Sequence, residues 1–141
     1  MAGGRQIIET LAKRISSQGF DRVLSKLKVV SGGNGKCVAE MKVEEEHQNY
    51  GGTLHGGMTA TLVDIVSTLG MLTHEKVQSP GVTVDLHVSY LKAARVGEEI
   101  LVEASTIKAG KTLAYLHVDI KKKDTDEIIA RGSHTKFIGT S

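Results

Sequence analysis

Apolar and polar residues recur along the chain with two different periods, and the changes of period mark the predicted elements. Residues 5–16 carry apolar side chains at helical spacing, which predicts an amphipathic helix with one apolar face. Residues 58–74 are apolar on nearly every side, so we predict a second helix that is buried rather than resting on a surface. Alternating or short apolar runs predict strands at 29–30, 37–43, 82–90, 100–104, 114–120 and 128–138.

The order of these elements indicates the fold class. One helix and two strands precede the buried helix, and four strands follow it. Turns containing glycine at 32–35 and 109–111 join neighbouring strands as hairpins, and residues 121–126 mix lysines with aspartates and are interpreted as a solvated turn. We therefore predict an α+β fold in which an antiparallel sheet of five to six strands wraps around the long central helix, in a single domain over residues 1–141.

Charge and composition exclude several classes of protein. The 18 Lys and Arg residues against 16 Asp and Glu residues give a formal net charge of +2, which is too even for a nucleic-acid groove or a membrane-binding patch. No apolar run approaches the ~20 residues that span a bilayer. The N-terminal residues lack the continuous apolar segment of a secretory signal and include Glu9, which is atypical of a transit peptide. We expect a cytosolic protein, with the mitochondrion as the alternative compartment.

The cysteine content points the same way. The single cysteine, Cys37, rules out an intramolecular disulfide and fits a reducing compartment. Because Cys37 lies within an alternating run, we predict that it is a small core residue rather than a nucleophile.

Two features around the buried helix lower stability without improving packing. The loop 47–57 ends in the glycine pair Gly56-Gly57, and Asp64 lies inside the apolar helix, where a carboxylate costs several kcal/mol unless it is paired or neutralised. Such features tend to mark functional sites. The free N–H groups of a helix start can stabilise an oxyanion, and a carboxylate can activate water or attack a carbonyl itself.

The spacing of these two features predicts a dimer. Asp64 follows Gly57 by seven residues, so the two lie on nearly the same helical face but about 10 Å apart along the axis. A carboxylate at that distance does not reach a carbonyl held on Gly57 of its own helix. If both act on one carbonyl, they come from two chains related by a two-fold axis.

The segment 52–57, Gly-Thr-Leu-His-Gly-Gly, followed by Met-Thr-Ala-Thr-Leu-Val-Asp at 58–64, resembles the hotdog-fold acyl-CoA thioesterases of the phenylacetyl-CoA thioesterase type. The resemblance extends over essentially the whole chain, including residues 41–47 and 110–113. It implies the hydrolysis of fatty acyl-CoA to free fatty acid and CoA, in homodimers that pair into a homotetramer, without a metal or redox cofactor.

The resemblance also implies roles for individual residues. Gly57 would donate its backbone N–H to the thioester carbonyl, Asn49 would place that carbonyl or the water, and Asp64 of the neighbouring subunit would be the general base or the nucleophile. Thr83 stands where the family often has serine, and would hold the water or the carboxylate through its hydroxyl. His55 and Gly56 would support the loop, and we interpret His55 as a brace rather than as a base.

The resemblance assigns CoA to one tyrosine, one turn and one phenylalanine, namely Tyr90, Lys108, Ala109, Gly110, Lys111, Thr112, Leu113 and Phe137. The turn supports this independently, because Lys108 and Lys111 flank a glycine and provide two cations for phosphates. Tyr90 and Phe137, at strand spacing, could instead be core residues.

Three alternatives compete with this interpretation. Asp64 could pair within a dimer interface without catalysis. The chain could be a hotdog enoyl-CoA hydratase or dehydratase, but that chemistry requires an acid/base pair with histidine, and no histidine lies within two turns of Asp64 on its face. It could also be a non-catalytic acyl-CoA binding adaptor, although Asn49, Gly57, Asp64 and the hydroxyl at Thr83 argue against that.

Overall fold

The computed structural model describes residues 2–139, and side chains from residue 4 onward. Residue 1 and residues 140–141, the outermost positions of the predicted domain, lie outside the described residues. The helices are α1 (Ala2–Ile15) and α2 (Gly56–Met71), with 3-10 helices η1 (Phe20–Leu24) and η2 (Glu45–His47). The strands are β1 (Lys28–Gly33), β2 (Lys36–Lys42), β3 (Val82–Tyr90), β4 (Glu99–Ala109), β5 (Leu113–Lys122) and β6 (Ile128–Phe137).

The strands form one six-stranded sheet in the order β1-β2-β4-β5-β6-β3, and every neighbouring pair is antiparallel. Helix α2 lies across one face of this sheet and contacts five of its strands. It is buried along most of its length, as its apolar sequence predicts. The predicted α+β fold, an antiparallel sheet wrapped around a long central helix, is confirmed.

Several boundaries differ from the prediction, since α1 begins at Ala2 rather than at residue 5, and β1 and β4 are longer than predicted. Helix α2 begins at Gly56 rather than at residue 58, because His55 caps it and the two glycines form its first turn. Strand β5 continues to Lys122, so the prediction that residues 121–126 are all solvated turn is wrong for Lys121 and Lys122. Both lysines continue the ladder with β4, where Lys121 lies opposite Leu101 and Lys122 opposite Ile100, and Lys121 also pairs with Glu103 at 3.1 Å.

The core confirms the interpretation of Cys37. Its side chain is fully buried among the aliphatic residues that link β2 to α2. Burial raises the pKa of the Cys37 thiol to about 12, so the reactive thiolate is not formed at neutral pH. Cys37 is therefore a packing residue.

Two features of the sheet position the candidate site. Strand β6 approaches α2 closely at Gly132, where an added Cβ would lie 2.6 Å from Cγ1 of Val63. Strand β3 is an edge strand that pairs with β6 alone within the described chain, and most of its residues are exposed. No helix of residues 2–139 is long and apolar enough to span a membrane.

Candidate active site

The loop before α2 is held as a closed ring. Its two ends are joined by the His55 N–H, which donates to the His47 carbonyl at 2.8 Å. Inside the ring, the Asn49 side-chain oxygen accepts from the backbone N–H of Gly51 at 2.9 Å and of Thr53 at 3.1 Å, while its Nδ2 donates to Thr53 Oγ1 at 2.8 Å. An asparagine amide has two N–H donors, so one donor of Asn49 remains for a ligand.

The two glycines of the helix start differ in their hydrogen bonding. The Gly57 N–H donates to Nδ1 of His55 at 2.8 Å, which is the bracing contact expected of His55. No hydrogen bond from the Gly56 N–H to another described residue is present. The amide proposed from sequence as the oxyanion donor is thus occupied in this state, and its neighbour Gly56 has a free N–H.

Gly56 also faces a cavity. The cavity holds about 410 Å³ and is lined by the loop, the helix start and the end of β3, with Asn49, Leu54, Gly56, Tyr90, Ala94 and Ile129 among its walls. Tyr90 reaches it from β3 and donates its hydroxyl to the Gly56 carbonyl at 2.7 Å. We call Asn49, Gly56, Gly57 and Tyr90 the helix-start half-site.

Asp64 lies two turns further along α2, away from that cavity. Its side chain is 40% exposed. Burial raises the pKa of the Asp64 carboxyl above its ordinary value, and the nearby Lys136 ammonium acts in the opposite direction. A half-buried carboxylate with a raised pKa is a better proton acceptor than an exposed one, as general-base chemistry requires.

Thr83 and Asp64 are brought together through a histidine that the sequence analysis did not assign to the site. The Thr83 hydroxyl lies 2.8 Å from Nε2 of His134, and the same nitrogen lies 3.9 Å from Oδ1 of Asp64. On its other side, Nδ1 of His134 contacts the Ser67 hydroxyl at 2.8 Å. A β-bulge between Thr83 and Asp85 locally changes the register of β3 against β6, and bulges of this kind re-aim side chains beside sites.

His134 is fully buried. Burial, with a smaller contribution from Lys136, lowers the pKa of its imidazole to about 4. The ring is therefore neutral at neutral pH, and both of its nitrogens are occupied by hydroxyls.

Lys136 is the second residue that the sequence analysis missed. Its side chain is buried on the face of β6 that packs on α2, and Nζ donates to Oγ1 of Thr68 at 2.9 Å. The signal was present in the sequence, because Gly132, His134 and Lys136 occupy the inward positions of an alternating strand where apolar residues are expected. We call Asp64, Thr83, His134 and Lys136 the carboxylate half-site.

The predicted CoA residues fall into two places on one chain. The β4–β5 turn is a tight hairpin in which the Gly110 N–H donates to the Leu113 carbonyl at 2.8 Å, so this amide is not free for a phosphate. Phe137 lies beside the turn, opposite Leu113 in the sheet. Tyr90 lies at the far end of β3 from Phe137, which pairs with Val82.

The turn nevertheless borders an open cavity of about 740 Å³. Its lining joins the turn to the loop after α2 and to the end of the chain, and consists of Lys76, Gln78, Ser79, Ala109, Gly110, Lys111 and Ile138. Neither Lys76 nor Lys111 is in a salt bridge with another described residue. Two lysines without a salt-bridge partner among the described residues therefore face one cavity.

Comparison with known proteins places this geometry in context. The model of the thioesterase superfamily matches residues 51–129. The chain is 48% identical to acyl-coenzyme A thioesterase 13 of Homo sapiens over 135 residues, which covers 96% of this chain and 94% of that protein. Its fold matches the crystal structure of zebra fish thioesterase superfamily member 2 with a TM-score of 0.93 and 48% identity, covering 96% and 98% of the two chains.

A more distant structure contains a ligand. A hypothetical thioesterase from Streptococcus pneumoniae TIGR4, solved with coenzyme A, matches with a TM-score of 0.75 and 25% identity, covering 82% of this chain and 87% of that one.

Proposed function

The chain belongs to the thioesterase superfamily, and from that premise we propose that it hydrolyses fatty acyl-CoA to free fatty acid and CoA in a site shared between two subunits. The observation that carries the proposal is the division of the site. A helix start with a free amide faces a cavity, and a half-buried carboxylate lies two turns away on the same helix. Together they provide the oxyanion donor and the base that thioester hydrolysis needs.

In this mechanism the thioester carbonyl binds at the helix start. The free Gly56 N–H, the remaining N–H of Asn49 and the positive end of the α2 dipole stabilise the negative charge that develops on the carbonyl oxygen. The Gly57 amide joins them if His55 turns away.

Asp64 takes a proton from water as the water oxygen bonds to the carbonyl carbon. The C–S bond then breaks, and the proton passes to the departing CoA thiolate. The Thr83 hydroxyl holds the water beside Asp64. This route requires neither a metal nor a redox cofactor.

The geometry of β3 supports the sharing of the site. Tyr90 and the helix-start half-site lie at one end of β3, and Thr83 and Phe137 lie at the other. The ends of this nine-residue strand are about 25 Å apart at 3.3 Å per residue. Two β3 strands paired antiparallel about a two-fold axis would bring opposite ends together.

The exposed edge of β3 supports such pairing. Val82 and Val84 are 64% and 59% exposed, and a long edge strand with apolar residues is normally covered by another strand. Pairing would bring the helix-start half-site of one chain to the carboxylate half-site and the lysine turn of the other. Assembly of two such dimers into a tetramer stays a prediction.

The cavity beside the turn supports the assignment of the CoA nucleotide. Lys76 and Lys111 face it, and Lys108 precedes Ala109, the last residue of β4. Ammonium groups of this kind bind phosphate as point charges. Because Gly110 uses its amide to close the hairpin, we assign phosphate binding to the lysine side chains rather than to the backbone.

One observation favours a second candidate, a hydratase or dehydratase. The sequence argument against it was the lack of a histidine near Asp64, and the fold brings His134 to 3.9 Å from the carboxylate. His134 is however fully buried, both ring nitrogens are engaged by hydroxyls, and its pKa is about 4. It is thus neither charged nor accessible enough to donate a proton to substrate at neutral pH, so hydrolysis remains the better-supported reaction.

The test of the shared site uses two inactive chains. One carries Asn49→Ala and Gly56→Val, which remove the helix-start half-site, and the other carries Asp64→Asn. After subunit exchange, verified by mass spectrometry of the native dimer, a shared site leaves one intact and one doubly defective site in each heterodimer. Thiol release from acyl-CoA should return to about half of the wild-type rate per heterodimer.

A site built within one chain predicts the reverse outcome, because every site then retains a defect and the exchanged mixture stays inactive. Product analysis separates the reactions, since hydration of an enoyl-CoA releases no free thiol.

A further inference from the structure

The carboxylate half-site contains a buried charge that the reaction as described does not use. Lys136 is 5% exposed, although lysine is almost never fully buried without a partner. By contrast, lysines such as Lys26 and Lys92 form salt bridges at the surface, where water still reaches their side chains. Burial of an ammonium is strongly unfavourable unless a nearby charge offsets it.

The direct partner of Lys136 does not offset its charge. Nζ donates to the hydroxyl of Thr68, and this hydroxyl in turn donates to the backbone carbonyl of Asp64 at 2.8 Å. Thr68 is therefore a neutral link between the ammonium and the turn of α2 that carries Asp64. Within the described chain, no salt bridge joins Lys136 to Asp64 directly.

The charges around Asp64 make Lys136 the available counter-charge. Asp21 on η1 is acidic, and burial and, to a smaller extent, the Asp64 carboxylate raise its pKa. His134 on β6 is neutral, and Asp85 on β3, which acts on His134, is acidic. Among these groups around Asp64, Lys136 provides the positive charge.

The electrostatic influence is mutual. Burial lowers the pKa of Lys136 and Asp64 partly restores it, whereas burial raises the pKa of Asp64 and Lys136 partly lowers it. A direct ion pair would hold Asp64 ionised but make it a weak base. Lys136 instead gives its hydrogen bond to the Thr68 hydroxyl, so it favours the ionised carboxylate by its charge without a direct ion pair.

We propose that Lys136 is a positioning residue for hydrolysis, and that its buried ammonium, held by Thr68 beside the backbone of Asp64, is the fixed counter-charge of the Asp64 carboxylate. This inference rests on the proposed function, since it assigns Asp64 as the base. It gives a role in the site to a second residue of β6, after His134.

The experiment compares the dependence of kcat/KM on pH for the wild type, Lys136→Met and Lys136→Arg, with an acyl-CoA that the wild type hydrolyses. The acid limb reports the base of the free enzyme. Without the ammonium, the acid limb of Lys136→Met should move up by about one pH unit. The loss of kcat/KM relative to the wild type should therefore be about five- to tenfold larger on the acid limb than at the optimum. Lys136→Arg keeps a positive charge and should keep the acid limb near that of the wild type.

Lys121→Met is the matched control, because Lys121 pairs with Glu103 and Asp126 on the outer face of the sheet and its loss should leave the limb in place. Should Lys136→Met fail to fold, Lys136→Gln supplies a neutral side chain that can still bond to Thr68, and the same shift is expected.

An acid limb that stays in place in a folded neutral variant would overturn the assignment of Lys136, as would an equal shift in Lys136→Arg. A wild-type protein that releases no thiol from any acyl-CoA would instead overturn the proposed function.

Discussion

The two half-sites of α2 differ in the groups that form them and in the charge that they stabilise. The helix-start half-site is built from backbone amides and neutral side chains, and three of its four members lie within nine residues of sequence. The carboxylate half-site gathers titratable groups from α2 and β6 and a hydroxyl from β3. The first stabilises a charge that appears only during the reaction, and the second holds a carboxylate charge that is present before the reaction begins.

Because of this difference, the two half-sites lower the stability of the fold by different amounts. Several donors of the loop are satisfied by local partners, as the ring around Asn49 shows, so the helix-start half-site adds little strain. The carboxylate half-site buries a lysine, a histidine and part of an aspartate, and burial shifts the pKa of all three. A site of this kind contributes chemistry at the expense of stability.

The largest effect is expected at the carboxylate. Asp64→Asn is nearly isosteric but cannot accept a proton, and a positioned base contributes typically ~10²–10⁴-fold. We expect a loss of that size in kcat, measured by thiol release, with the fold and acyl-CoA binding retained. Asp124→Asn, in the exposed β5–β6 turn, is the control and should have wild-type turnover. Near-normal turnover of Asp64→Asn would end the role of Asp64 as the base.

The helix start is tested by a matched pair of glycine variants. Gly56→Val should lower kcat about 10²-fold, because its methyl groups enter the cavity where the oxyanion forms. Gly57→Val should lower kcat by less than about tenfold, because its added Cβ meets only the exposed His55 ring, at 3.0 Å. If Gly57→Val were the more damaging variant, the oxyanion donor would be the Gly57 amide, as the sequence analysis proposed.

The buried histidine makes stability depend on pH. The folded-state pKa of His134, about 4, lies below its ordinary value of 6.5, so the unfolded chain binds a proton that the folded chain does not. The stability that depends on a neutral His134 is complete above pH 6.5 and is lost as the pH falls toward 4. This loss is about 2–3 kcal/mol.

Urea unfolding at several pH values measures this effect. The free energy of unfolding of His134→Gln should depend less on pH in that window than that of the wild type. His117→Gln, on the outer face with a side chain 40% exposed, should keep the wild-type slope. Parallel curves for the wild type and His134→Gln would show that His134 is not the titrating group.

The smallest effect is expected at the nucleotide turn. Lys108→Ala and Lys111→Ala should each raise KM for acyl-CoA up to about fivefold, with kcat little changed, because exposed ion pairs contribute at most about 1 kcal/mol. Added salt should reduce the effect. Lys13→Ala on α1 is the control. An equal loss with short thioesters that lack the nucleotide would contradict phosphate binding by these lysines.

The sequence predicted the fold well because the fold depends on local patterns. Alternation located the strands and the apolar run located α2, since these periods follow from backbone geometry alone. The glycine pair and Asp64 were also found in sequence, because each departs from what a buried helix requires. The prediction that residues 121–126 are all turn failed at Lys121, since a solvated strand face and a turn have similar composition.

The sequence by itself determined the elements, the sheet around a central helix, and the separation of Gly57 from Asp64, which a helix fixes at 1.5 Å per residue. Only the tertiary structure decided that His134 and Lys136 lie beside Asp64, that Gly56 rather than Gly57 faces the cavity, and that Tyr90 lies far from the lysine turn. These facts depend on the packing of β6 on α2, on a bulge in β3 and on one hydrogen bond from Gly57 to His55. Such contacts join residues distant in sequence or select between adjacent amides, and hydrophobic periodicity contains no information about either.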